Sequence, residues 1–96
     1  MSEIWQPPSE EQRMRFRLAV LDTYLAAAER RDELMGVVAD ARDPDEACRS
    51  VAVLLGITEE AARNVRDMRL RRFSQSEVAD VRSEHQDIRG VLDRGP

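Results

Sequence analysis

From Ser9 onward the apolar positions recur at helical spacing. Met14, Leu18, Leu21, Leu25 and Ala28 step by four and three, a heptad seam, and Phe16, Val20, Tyr24 and Ala27 make a second stripe beside it. A helix this broadly apolar needs more than one neighbour. It opens on "SEEQ", Ser9–Gln12, a capping box in which the Ser hydroxyl and Gln amide serve orphan groups of the first turn. Pro7 and Pro8 exclude helix upstream, so residues 1–8 read as an extended tail, with Trp5 expected to dock on the body. The seam would next reach Asp32, inside the charged block Glu29–Glu33. An unpaired buried Asp is costly, so a bend or a change of packing partner is expected there. Leu34, Met35, Val38 and Ala41 then carry a new face to about Arg42.

Two short helices follow in the pattern. Asp43 is a good N-cap, Pro44 suits the first helical position and Glu46 completes a box. Ala47, Val51, Leu54 and Leu55 form the apolar face, and Gly56 is the stop. Thr58 caps the next helix, and Ile57 can staple onto Ala62. Ala61, Val65 and Met68 share one face while Leu70 falls nearly opposite, so this helix should end around Arg69–Arg71, with Leu70 and Phe73 packing from a turn. "SQSE", Ser74–Glu77, is one more capping box. Val78, Val81, His85, Ile88 and Leu92 form a second heptad seam that matches the first helix in length. The pattern predicts an all-α fold: two long antiparallel helices in a coiled-coil hairpin, with a small head of two short helices. A single helical domain should span 9–93, and the closing "DRGP" should fray over 94–96.

The chain has 96 residues, enough for one domain, and monomer stability at that size is modest. A net charge of −4 argues against wholesale coating of nucleic acid. Aromatics make up 4% of the chain and charged residues 35%, a helical composition when 42% is hydrophobic and largely Ala, Val and Leu. All 15 basic residues are Arg. No apolar run reaches transmembrane length and no signal peptide is evident, so the expected location is the cytoplasm, with no membrane partner.

Candidate chemistry is sparse. One His and one Cys do not make a zinc site, and Asp43, Asp45 and Glu46 lack the spacing of a calcium loop, so no metal is expected. Cys48 and His85 lie on different helices with nothing to bring them together. Neither a phosphate loop nor a dinucleotide fingerprint is present, so no cofactor and no enzymatic activity are expected. His85, Cys48 and Tyr24 read as packed side chains. The one concentrated feature is basic: residues 63–72 hold five Arg against Asp67. Glu59, Arg63, Asp67 and Arg71, spaced by four, can form a ladder of alternating charge. That ladder leaves Arg66, Arg69 and Arg72 without acids four residues away, available to phosphates or to an acidic patch. A small nucleic-acid-binding protein is thus one reading, although no interleaved aromatics or helix-turn-helix pattern supports it.

The stretch Leu18–Ser74 resembles the lower part of the A subunit of bacterial DNA gyrase and topoisomerase IV. "DMRLRRFS", Asp67–Ser74, with Thr58–Ala61 before it, is similar to that family's head signature. "RDPDEA", Arg42–Ala47, is similar to the second head helix, and Asp32-Glu33 to the "DE" where the arm enters the head. With the return helix the similarity spans roughly residues 13–93. The resemblance implies a coiled-coil arm with a helical head that forms the exit gate, where two A subunits meet as a dimer. It therefore implies homodimerisation, or pairing with a resident gyrase or topoisomerase IV A subunit. Ala61, Val65, Arg66, Met68 and Arg69 are the candidate contact. The family's nucleophilic Tyr domain and metal-binding partner subunit have no counterpart here, so the expected role is non-catalytic. Phe73-Ser74-Gln75 stands where the family has Leu-Thr-Gly, and Asp22-Thr23 where it commonly has Glu-Gly.

Overall fold

The computed structural model describes residues 4–95. It is all-α: α1 (Glu10–Glu29), α2 (Arg31–Asp40), α3 (Pro44–Leu55), α4 (Glu59–Arg66), a 3₁₀ turn (Leu70–Phe73) and α5 (Gln75–Arg94), with no strand among the described residues. The starts follow side-chain chemistry. The Ser9 box forms in full: the Ser9 amide donates to Gln12 Oε1 at 2.8 Å, and the Gln12 amide to Ser9 Oγ at 3.1 Å. Asp43 accepts from the Glu46 amide at 2.8 Å, and Thr58 from the Ala61 amide at 3.1 Å. Gly56 closes α3 in the left-handed region at φ 65°, a conformation that costs a glycine nothing. Beyond it the Ile57 amide reaches the Ala52 carbonyl at 3.0 Å.

The expected bend sits at Arg30, the single residue between α1 and α2. Its guanidinium grips Glu33 at 2.6 Å and donates to the Leu54 carbonyl at 2.7 Å. That carbonyl belongs to the last turn of α3, where helix acceptors lack internal donors. One arginine thus turns the chain and ties it to the next helix. Because of this break the head contains three helices, α2, α3 and α4, rather than two.

Two apolar clusters result. The head cluster buries Ala27, Leu34, Cys48, Val51, Ala52, Ala62 and Val65, with Val38, Leu54, Leu55 and Ile57 packed around it. The arm cluster buries Leu21, Tyr24 and Val81, with Leu25, Met68, Val78 and Ile88 against them. Phe73 packs on both, so it joins head to arm.

The two longest helices touch through this second cluster, consistent with an antiparallel pair, but they do not form the expected coiled-coil hairpin. Only the middle of the seam is engaged; Met14, Leu18 and Leu92 are half-buried and outside the cluster. Twenty-residue helices are each about 30 Å long, and a parallel-sided pair would be elongated along one axis. The chain instead extends 47 × 41 × 20 Å. The head occupies the C-terminal end of α1, and α5 meets α1 locally rather than zipping along it.

Several local expectations fail for identifiable reasons. Trp5 does not dock: it is 79% exposed and neighbouring Ile4 83%. The α4 helix stops at Arg66, earlier than expected, and Leu70 does not pack from the turn but stands 68% exposed. Ser74 occupies the N-cap position of α5 without a side-chain bond, and the Glu77 carboxylate that would return to the Ser74 amide is paired with Arg72 at 2.9 Å. Likewise Glu46 turns to Arg42 at 2.8 Å, so Asp43 caps α3 without a reciprocal partner. At the other terminus α5 runs on through Asp93 and Arg94 before Gly95, where fraying was expected. Residues 1–3 of the tail and Pro96 lie outside the described residues. No helix among the described residues is long and apolar enough to cross a membrane.

Candidate interaction groove

The second stripe of α1 does not enter either core at its N-terminal end. Phe16 is 74% exposed and Val20 43%, while Tyr24 one turn further on is buried. Facing the stripe is α4, short because its chain turns at Asp67. Ala61 and Val65 on α4, and Met68 just beyond its end, line the other side. Between the two helices lies an open groove of about 340 Å³, lined by Phe16, Val20, Tyr24, Ala61, Met68 and Arg72, among others.

The groove's floor is held by contacts around Tyr24. The Tyr24 hydroxyl donates to the Arg72 carbonyl. The Tyr24 ring stacks on Phe73, centroids 6.0 Å apart and planes 13° from parallel. The Arg72 guanidinium lies 5.2 Å from the Tyr24 centroid and pairs with Glu77 at 2.9 Å. Burial pushes the Tyr24 hydroxyl above the ordinary phenol range; the Arg72 charge pulls it back in part, and Glu77 raises it. Tyr24 is therefore a neutral donor at physiological pH, holding the 3₁₀ turn against α1.

The expected contact residues divide. Ala61 and Met68 are half-buried and line the groove. Val65 also lines it but is only 4% exposed, so it forms the wall rather than a contact surface. Arg66 is not with them. It reaches the opposite way, donating to the Pro44 carbonyl at 3.1 Å and to Asp67 at 3.0 Å, with Asp45 at 3.9 Å. The Asp67 hydrogen bond holds the guanidinium above its ordinary range and the Asp67 carboxyl below the usual carboxylate range. Arg69 is exposed and makes no ion pair among the described residues.

The charge ladder does not form. Asp67 caps the end of α4 and pairs with its neighbour Arg66, so the four-residue helical spacing to Arg71 no longer applies. The three arginines read as free also differ from expectation. Arg66 and Arg72 each carry their own carboxylate, and Arg69 alone of the three stays unengaged. Arg66 turns to Pro44 and Asp67, and Arg72 to Tyr24 and Glu77.

Of the remaining chemical side chains, Cys48 is buried and donates its thiol to the Glu59 carbonyl at 3.2 Å. His85 Nε2 lies 2.6 Å from Asp22 Oδ1, a clasp between α5 and α1. No group of three His, Cys, Asp or Glu suited to a metal gathers among the described residues.

The sequence pattern displayed the Phe16–Val20–Tyr24 stripe and the Ala61–Val65–Met68 face separately, and missed that they make one groove. The signal was present: the first helix carried more apolar surface than one neighbour could cover. Comparison of the chain with protein families, curated proteins and solved structures found no match.

Proposed function

We propose that this chain is a non-catalytic interaction module that pairs with a second copy of itself through the face where α1 lies beside α4. By the same face it engages the A subunit of a resident gyrase or topoisomerase IV. The observation that carries the reading is the exposure of Phe16 and Val20 next to half-buried Ala61 and Met68. Burying an apolar side chain of this size contributes roughly 1.5–3 kcal/mol, so a partner covering both residues gains substantially. The resemblance of the head to the exit gate supports a second copy as that partner, and three of the five residues it suggests line the groove. The family's coiled-coil arm plays no part in the reading, which rests on the head and the first turns of α1.

Sedimentation velocity over a concentration series tests this. The expected result is a monomer–dimer equilibrium that shifts to monomer in F16E, whose side chain is exposed and whose fold should survive. A chain that stays monomeric at high micromolar concentration overturns the reading. Recovery of the host gyrase A subunit with the tagged wild-type chain, and its loss with F16E, tests the heterotypic arm.

A further inference from the structure

The N-terminal tail and the groove are complementary parts of one chain. We propose that the groove of each copy receives Trp5 from a second copy, so that the dimer is held by reciprocal exchange of the tails. This rests on the self-association reading above and specifies what fills its contact.

The tail is built to present an anchor. Ile4 and Trp5 are both exposed, at 83% and 79%, on a segment with no helix or strand. Gln6 and Pro7 each precede a proline and are confined to extended backbone. A reversal through Pro7–Pro8 would need positive φ at the second turn position in a type II turn, which proline cannot adopt; proline there also disfavours type I. At the far side the chain is fixed by the Ser9 capping box and by Arg13, which donates to the Pro8 carbonyl at 3.4 Å. A stiff arm loses little conformational entropy when its aromatic docks.

The same stiffness decides between a chain's own groove and a partner's. Trp5 stands four residues before Ser9, about 12 Å in extended proline-type backbone. Phe16 stands seven residues after it, about 10 Å along the helix. An extended arm that continues the line of α1 holds the indole about 20 Å from its own groove. A second copy lying antiparallel brings each arm to the other's groove, a self-complementary arrangement with two identical contacts.

The groove suits an indole. Phe16, Val20 and Ala61 supply apolar walls, Met68 a polarisable sulfur that favours aromatic neighbours, and Arg72 a guanidinium 5.2 Å from the Tyr24 ring centroid. Two docked tryptophans bury about 150–250 Å² each, so they anchor the interface rather than make up all of its area. The exposed α1 stripe supplies more.

Trp5 is the chain's one tryptophan, so its fluorescence reports the contact directly. Emission should be solvent-like in dilute solution and shift to the blue with rising concentration, in step with dimer mass measured by sedimentation. W5A should weaken self-association at least tenfold. V20E, altering an exposed groove residue and checked for helicity by circular dichroism, should abolish the blue shift. Solvent-like emission from a dimer overturns tail exchange while leaving self-association standing, and so does W5A with unchanged affinity. A blue-shifted emission from a species of monomer mass means that each arm occupies its own groove, which also overturns exchange. A monomer at every concentration removes self-association and exchange together.

Discussion

The head and the arm are held by different means. In the head, Ala27, Leu34, Cys48, Val51, Ala52, Ala62 and Val65 are removed from water together, contributed by four helices. The arm cluster buries Leu21, Tyr24 and Val81, and polar clasps line its edges: Arg17 to Glu84 at 2.6 Å, Asp22 to His85 at 2.6 Å, Glu29 to Arg82 at 3.9 Å. Apolar burial is the dominant favourable contribution to folding, whereas exposed ion pairs contribute from nothing to about 1 kcal/mol each. The head therefore holds the larger share of the buried apolar side chains, and α5 should be the element most readily released.

The largest test of this contrast pairs two core truncations. L34A in the head and L21A in the arm should each cost about 2–5 kcal/mol, as buried Leu→Ala changes do. Urea denaturation measures the cost, and native-state hydrogen exchange separates the two. L34A should accelerate exchange throughout the chain, while L21A should accelerate it mainly in α5. Uniform acceleration in both would make the fold a single cooperative unit and end the contrast.

Y24F is a smaller perturbation at the junction. It keeps the ring stack on Phe73 but removes the hydroxyl that donates to the Arg72 carbonyl, so a loss of about 1 kcal/mol is expected, with faster exchange at the 3₁₀ turn. A thermal midpoint equal to the wild type's would show that the ring alone holds the turn.

The smallest effect concerns the clasps. Hydrogen bonding to Arg17 holds the Glu84 carboxyl below the usual carboxylate range. Its folded-state pKa is therefore depressed relative to the unfolded chain. The stability it contributes is present above the unfolded value of about 4.3, and is lost as pH falls through the lower folded value. Acid titration followed by α5 amide shifts should show the arm loosening as pH falls through that lower value, and E84Q should remove that contribution without altering the head. Head and arm opening at the same pH in both proteins would contradict the assignment.

Much of the fold was legible because it depends on local chemistry. The caps at Ser9, Asp43 and Thr58 and the stop at Gly56 each act within a few residues, and the helix breaks where the apolar seam runs into Glu29–Glu33. What escaped is set by competition between partners distant in sequence. Glu77 could not serve Ser74 while Arg72 claimed it, nor Asp67 serve Arg71 once α4 had ended. The seams on α1 and α5 predicted contact correctly but not its extent, because heptad spacing does not specify how far two helices stay together when a head wedges against one of them. The groove was half legible: both its walls stood in the pattern, but their juxtaposition depends on where α4 lands.

Cys48 gives the head a built-in clock. It is the chain's one thiol, buried on α3 within the head cluster and hydrogen-bonded to the start of α4. A reagent that alkylates thiols can reach it only when those helices part. Its labelling rate, divided by the rate for an unfolded peptide, gives the fraction of time the head spends open, and a partner that closes on the head would slow that clock from a distance.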